Sequence, residues 1–107
     1  MNMKYIVAII RSDDLEPLGK TLRTNIKVRG LTVTKVTGFN EYANFFATDH
    51  LSERTKIEIF VEESKVAEIT EAIMAYAYTG TPGDGVVAVI PVDAFFHVRA
   101  RSEGSPD

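Results

Sequence analysis

Apolar and polar positions along this chain fall into blocks whose period changes, and each change marks an element. Residues 5–10, Tyr-Ile-Val-Ala-Ile-Ile, form a near-continuous apolar run of β-branched character, which predicts a strand buried on both faces. Ser12, Asp13 and Asp14 follow as candidate helix caps. Leu15, Leu18, Leu22 and Ile26 then recur at steps of three and four, the stripe of an amphipathic helix. Pro17 falls in its first turn, where a missing N–H has no intrahelical partner to lose, and Gly30 closes the unit.

Residues 31–39, with Thr32, Val33, Thr34 and Val36, read as a second strand stopped near Gly38. Residues 56–62 alternate, with Ile57, Ile59 and Val61 on one face and Glu58, Phe60 and Glu62 on the other. Ser64 opens a second helix whose predicted buried stripe is Val66, Ile69, Ile73 and Tyr76, and Gly80 and Pro82 close it. Residues 86–90 are another continuous apolar strand. Residues 95–101 predict a short fifth strand and 102–107 a loose, flexible tail.

The order is βαββαβ plus a terminal strand. Two βαβ units side by side give a ferredoxin-like α+β fold, a four-stranded antiparallel sheet with both helices on one face. The other face is then solvated or buried against another subunit. Apolar groups on both faces of the third strand, Phe60 among them, favour burial in an oligomer, against the alternative of one tolerated exposed aromatic.

Composition narrows the class. A chain of 107 residues has room for one domain, 1–107. Its 45% hydrophobic and 25% charged residues exclude wholesale disorder. The absence of cysteine removes disulfides and thiolate chemistry. A formal net charge of −3 argues against a nucleic-acid surface. No apolar run reaches the roughly 20 residues of a membrane span, and the start lacks the layout of a signal peptide. The expected compartment is the cytoplasm.

Three segments carry candidate chemistry. Thr79-Gly80-Thr81-Pro82-Gly83-Asp84-Gly85, within a loop over about 79–86, has the glycines that turn successive backbone N–H groups toward an anion. A helix-to-strand turn asks for the same residues on conformational grounds alone, so both readings stand. His97 and Arg99 share one face of the predicted terminal strand, with Arg101 next in line. They are either a phosphate-binding group or an edge strand protected by charge. The stretch over about 40–55 is long for a connection and carries Tyr42, Phe45 and Phe46. Those aromatics serve as partner anchors or as caps on the protein's own sheet. His50 reads as a solvated residue rather than a ligand. No nucleophile–base set and no metal-type cluster proposes a reaction, so the chain is not expected to be an enzyme.

Together these stretches resemble the PII signal-transduction family and its PII-like relatives. The resemblance rests on residues 5–10, on Gly30-Leu31-Thr32-Val33-Thr34-Lys35-Val36-Thr37-Gly38-Phe39, on Lys56-Ile57-Glu58-Ile59, on 79–85 and on the Arg99 region. It implies a homotrimer with adenine-nucleotide sites in the clefts between subunits, and a T-loop after the second strand that contacts target proteins. It places Thr32, Glu58 and Phe60 near the adenine. Gly38 and Phe39 join that site at the base of the T-loop, and the loop of Thr79, Gly83, Asp84 and Gly85 meets the phosphates. His97, Arg99 and Arg101 reach over from the neighbouring subunit.

Departures from the family pattern refine the expectation. Val86 stands where typical members carry a phosphate-binding lysine, and His97 stands where they carry the first arginine of a pair. One lost charge-assisted contact costs about 1.5–3 kcal/mol, or about 10–100-fold in affinity, so AMP and ADP are expected to compete well with ATP and to be favoured over it. Tyr42 aligns with the glutamine used for magnesium and 2-oxoglutarate, and it is a poor ligand for a hard cation. The expected function is a divergent, non-catalytic adenylate sensor with a shortened T-loop. It would signal to a transporter or metabolic enzyme, with bicarbonate as a second ligand by analogy with relatives in inorganic-carbon uptake. The alternatives are a nitrogen-regulatory PII protein of the typical kind and a trimeric metal- or anion-binding protein of the divalent-cation tolerance type.

Overall fold

The computed structural model describes residues 2–39 and 52–103. Among them, two α-helices and six strands follow in order: β1 (Met3–Ile10), α1 (Leu15–Thr21), β2 (Thr32–Gly38), β3 (Ser52–Glu62), α2 (Val66–Ala77), β4 (Gly85–Pro91), β5 (Phe96–His97) and β6 (Ser102–Glu103). The first four strands form one antiparallel sheet in the order β2-β3-β1-β4. The predicted ferredoxin-like arrangement is the observed one.

Period-two patterning sets which face is covered. Ile6, Ala8 and Ile10 of β1 and Ile57, Ile59 and Val61 of β3 point to one side. They meet Leu18, Leu22, Ile26, Ile69, Ile73 and Ala77 from the helices in a single apolar core. Burying each of the Ile, Leu and Val side chains contributes about 1.5–3 kcal/mol. Thr55 is the buried polar member, and its hydroxyl is satisfied by Ser12 Oγ at 2.9 Å.

Several boundaries differ from those the pattern predicts. The first helix continues through a π turn at Leu22–Ile26 and ends on Lys27 in the left-handed region, φ 66°. The buried stripe of α2 ends on Ala77 instead of Tyr76. Steps of four from Ile69 and Ile73 lead to Ala77, while Tyr76 is exposed and its hydroxyl hydrogen-bonds Thr21 Oγ1 at 2.5 Å. β3 begins at Ser52, so the last residues assigned to the T-loop belong to a strand paired with β2 as far as Gly38–Ser52. β1 is buried on its helix face, and its other face is half-covered in the single chain. No helix among the described residues is long and apolar enough to cross a membrane.

The C-terminal region departs most from expectation. Residues 95–101 do not form one strand. Phe96–His97 pairs with Ser102–Glu103 across a turn over 98–101, and Arg101 sits at φ 54°. The i, i+2 argument that put His97, Arg99 and Arg101 on one strand face therefore fails. Residues 102 and 103, predicted as loose tail, form β6.

Candidate functional site

The face of the sheet away from the helices is built in rows by the register. Ile90, Tyr5 and Phe60 stand side by side across β4, β1 and β3. Ala88, Val7, Glu58 and Thr32 form the next row, and Val86, Ile9, Lys56 and Thr34 the one after. Thr32 and Glu58, expected together, are direct cross-strand partners. Tyr5 joins them, because its hydroxyl donates to Glu58 Oε2 at 2.5 Å. That hydrogen bond, then burial, then the carboxylate's charge hold the Tyr5 phenol above its ordinary value. Lys56 Nζ lies 3.9 Å from Glu58 Oε1 on the other side.

Phe60 packs between Tyr5 and Phe95, with ring centroids at 5.0 and 5.4 Å. Phe95 in turn meets the His97 ring edge-on at 5.3 Å. This ladder of rings docks the β5–β6 hairpin onto its own sheet. It also places His97 beside Phe95, while the contact expected of His97, Arg99 and Arg101 is with a neighbouring subunit.

At the opposite end of β3, an open cleft of about 190 Å³ is lined by Ile9, Val36, Thr37, Gly38, Phe39, Ser52, Arg54 and Gly83. It gathers three sequence-predicted residues, Gly38, Phe39 and Gly83, from two segments far apart in the chain. Arg54 is a cation at this cleft that the sequence reading missed. Its signal was present in the alternation of Arg54, Lys56 and Glu58, which share one face of the strand.

The glycine loop above this cleft is organised by Asp84. Its Oδ2 accepts from the backbone N–H of Thr79 at 2.7 Å and of Gly80 at 2.9 Å. Its Oδ1 accepts from Thr79 Oγ1 and from Arg11 Nη1, the latter at 2.7 Å. Arg11 Nη2 donates to the Pro82 carbonyl at 3.2 Å and lies 3.4 Å from Thr81 Oγ1. The Thr79 hydroxyl, Arg11 and the two amides together hold the Asp84 carboxyl well below the usual carboxylate range. Gly85 begins β4 at φ +124°, where a Cβ would stand 2.3 Å from the Ile9 carbonyl oxygen. Arg11 gave no sequence signal, because its partner is 73 residues away. Tyr42, Phe45 and Phe46 lie outside the described residues.

Comparison with known proteins places this geometry. A family model described as nitrogen regulatory protein P-II matches residues 3–102. A nitrogen regulatory protein P-II of Azospirillum brasilense is 33% identical over 110 residues, covering 95% of this chain and 96% of that one. The nitrogen regulatory protein GlnK2 of Haloferax mediterranei is 30% identical, covering 95% of this chain and 88% of its own length. Among solved structures, Arabidopsis thaliana PII bound to citrate superposes with a TM-score of 0.79 at 30% identity, over 95% of this chain and 85% of that one.

Proposed function

The chain belongs to the PII family of nitrogen regulatory proteins and is a non-catalytic regulator, and we propose that it works as a trimeric sensor of adenine nucleotides. The observation that carries this reading is the pairing of two half-sites along β3. Thr32, Glu58 and Phe60 lie at one end, and the cleft of Gly38, Phe39, Arg54 and Gly83 lies at the other. Glu58 and Arg54 are roughly 13 Å apart along the strand, a span suited to a nucleotide with its base at Glu58 and its phosphates at Arg54 and the glycine loop.

Exposed apolar residues in two rows of the same face support assembly. Val86, Ile90 and Phe60 are each about half exposed in the single chain, and burying them against two further copies would close the clefts that hold the ligand. In that assembly His97, Arg99 and Arg101 of one subunit reach the phosphates bound by the next. Val86 supplies no charge where typical members have lysine, so AMP and ADP compete with ATP. Ligand binding signals by shifting the protein between target-binding and free states, through differential affinity for the two. A cytoplasmic site of action goes with this reading.

The names of the relatives favour nitrogen metabolism as the process controlled. An inorganic-carbon role with bicarbonate as a second ligand has only generic anion chemistry behind it, at Arg54 and the C-terminal cations. Calorimetric titration with AMP, ADP and ATP, each with and without magnesium and bicarbonate, tests the whole reading. Saturable heat from ADP and AMP is expected, with ATP no more than about tenfold tighter than AMP. Assembled protein that gives no heat with any adenine nucleotide would overturn it.

A further inference from the structure

The Arg11–Asp84 pair is spent inside the loop and leaves little for a ligand. Asp84 takes two backbone amides, one hydroxyl and one guanidinium nitrogen, and Arg11 ties the same carboxylate to the Pro82 carbonyl. The carboxylate thus occupies the Thr79 and Gly80 amides as a bound anion would. Of the loop's amides, this leaves the Gly83 side, at the cleft shared with Gly38 and Arg54, to meet a phosphate. Arg11 follows directly on β1, so the pair ties the loop to the central strand of the sheet.

We propose that Arg11 and Asp84 are positioning residues: their ion pair fixes the glycine loop in the shape that receives a phosphate at its Gly83–Gly85 end, without either side chain touching the nucleotide. This rests on the nucleotide-binding reading above and assigns Asp84 a role opposite to direct ligand contact.

Charge alone predicts a different sign. An aspartate beside a phosphate repels it, so Asp84→Asn would tighten ADP if the carboxylate were only a neighbouring charge. If it positions the loop, Asp84→Asn weakens ADP by about tenfold, the worth of one charge-assisted hydrogen bond. Adenosine, which carries no phosphate, changes by less than about twofold. Arg11→Met behaves like Asp84→Asn. Arg11→Lys keeps the charge but cannot span Asp84 and Pro82 together, so it falls between Arg11→Met and the parent protein.

The experiment is calorimetry of ADP and adenosine on the full-length protein and these three variants, with amide hydrogen exchange at Thr79 and Gly80 in ligand-free protein. Faster exchange at both amides in Asp84→Asn, with selective loss of ADP affinity, is the expected result. Unchanged or tighter ADP binding, or equal losses for ADP and adenosine, overturns the positioning role. Failure of the parent protein to bind any adenylate overturns the nucleotide reading and this inference with it. Unaltered amide exchange at Thr79 and Gly80 overturns the positioning role by itself.

Discussion

Gly85 sits where β4 leaves the glycine loop, and its backbone leaves no room for a side chain. Its φ of +124° and the 2.3 Å approach to the Ile9 carbonyl mean that Gly85→Ala strains two strands at once. It should lose about 2 kcal/mol or more of stability, read from the urea midpoint. Asp84 carries a pH signature with a definite sign. Its folded carboxyl is held below its unfolded value, so its stabilisation is complete above the ordinary carboxylate range and fades as pH falls toward the folded value. The stability gap between parent and Asp84→Asn should therefore be largest near neutrality and close on acidification, and a gap independent of pH would contradict the hydrogen-bond geometry. Tyr5 has the opposite behaviour. Its phenol is raised by Glu58, so the contribution is whole below the usual phenol value and is lost as pH rises through the higher folded one. Tyr5→Phe should abolish that alkaline loss in a denaturation series.

At the scale of elements, the long strands and both helices were legible because each presents one period long enough to read. Ile57, Ile59 and Val61 alternate, and Leu18, Leu22 and Ile26 recur at helical steps. What the pattern missed depends on groups that meet only after folding. The turn at 98–101, closed by the Arg101 amide on the His97 carbonyl, follows a segment docked through Phe95 on Phe60, a contact across 35 positions that no local period reports. The cleft residue Arg54 looked like the end of a loop because the pairing of Val36 with Arg54 is fixed by β2, not by β3 alone. Of the proposed site, Thr32, Glu58, Phe60, Gly38, Phe39 and Gly83 were named from sequence through the family resemblance, and Arg54 was not. Arg11 and Tyr5 were not, since each acts through a partner in another segment. Lys27 offers a test of local strain at this scale. It ends the first helix in a left-handed conformation, which costs a non-glycine residue about 1–2 kcal/mol. Lys27→Gly should raise stability by up to about 1 kcal/mol after the entropy of the unfolded glycine is offset.

For the whole molecule, the proposed function makes the sheet face away from the helices the link between assembly and ligand binding. Ile90, Tyr5 and Phe60 form one apolar row, and the half-sites on β3 lie along the same face. Ile90→Asp places a charge in that row and should dissociate the assembly in sedimentation while leaving the far-ultraviolet circular dichroism of the protomer unchanged. On the proposed site, where His97, Arg99 and Arg101 of a neighbour complete the phosphate end of each cleft, the dissociated variant should also lose ADP. Native mass spectrometry of the full-length protein with ADP measures assembly and occupancy together. The account predicts a trimer that fills to three ADP molecules, with no ADP on any residual monomer. A protein that stays monomeric, or a monomer that holds ADP as well as the trimer does, would contradict it.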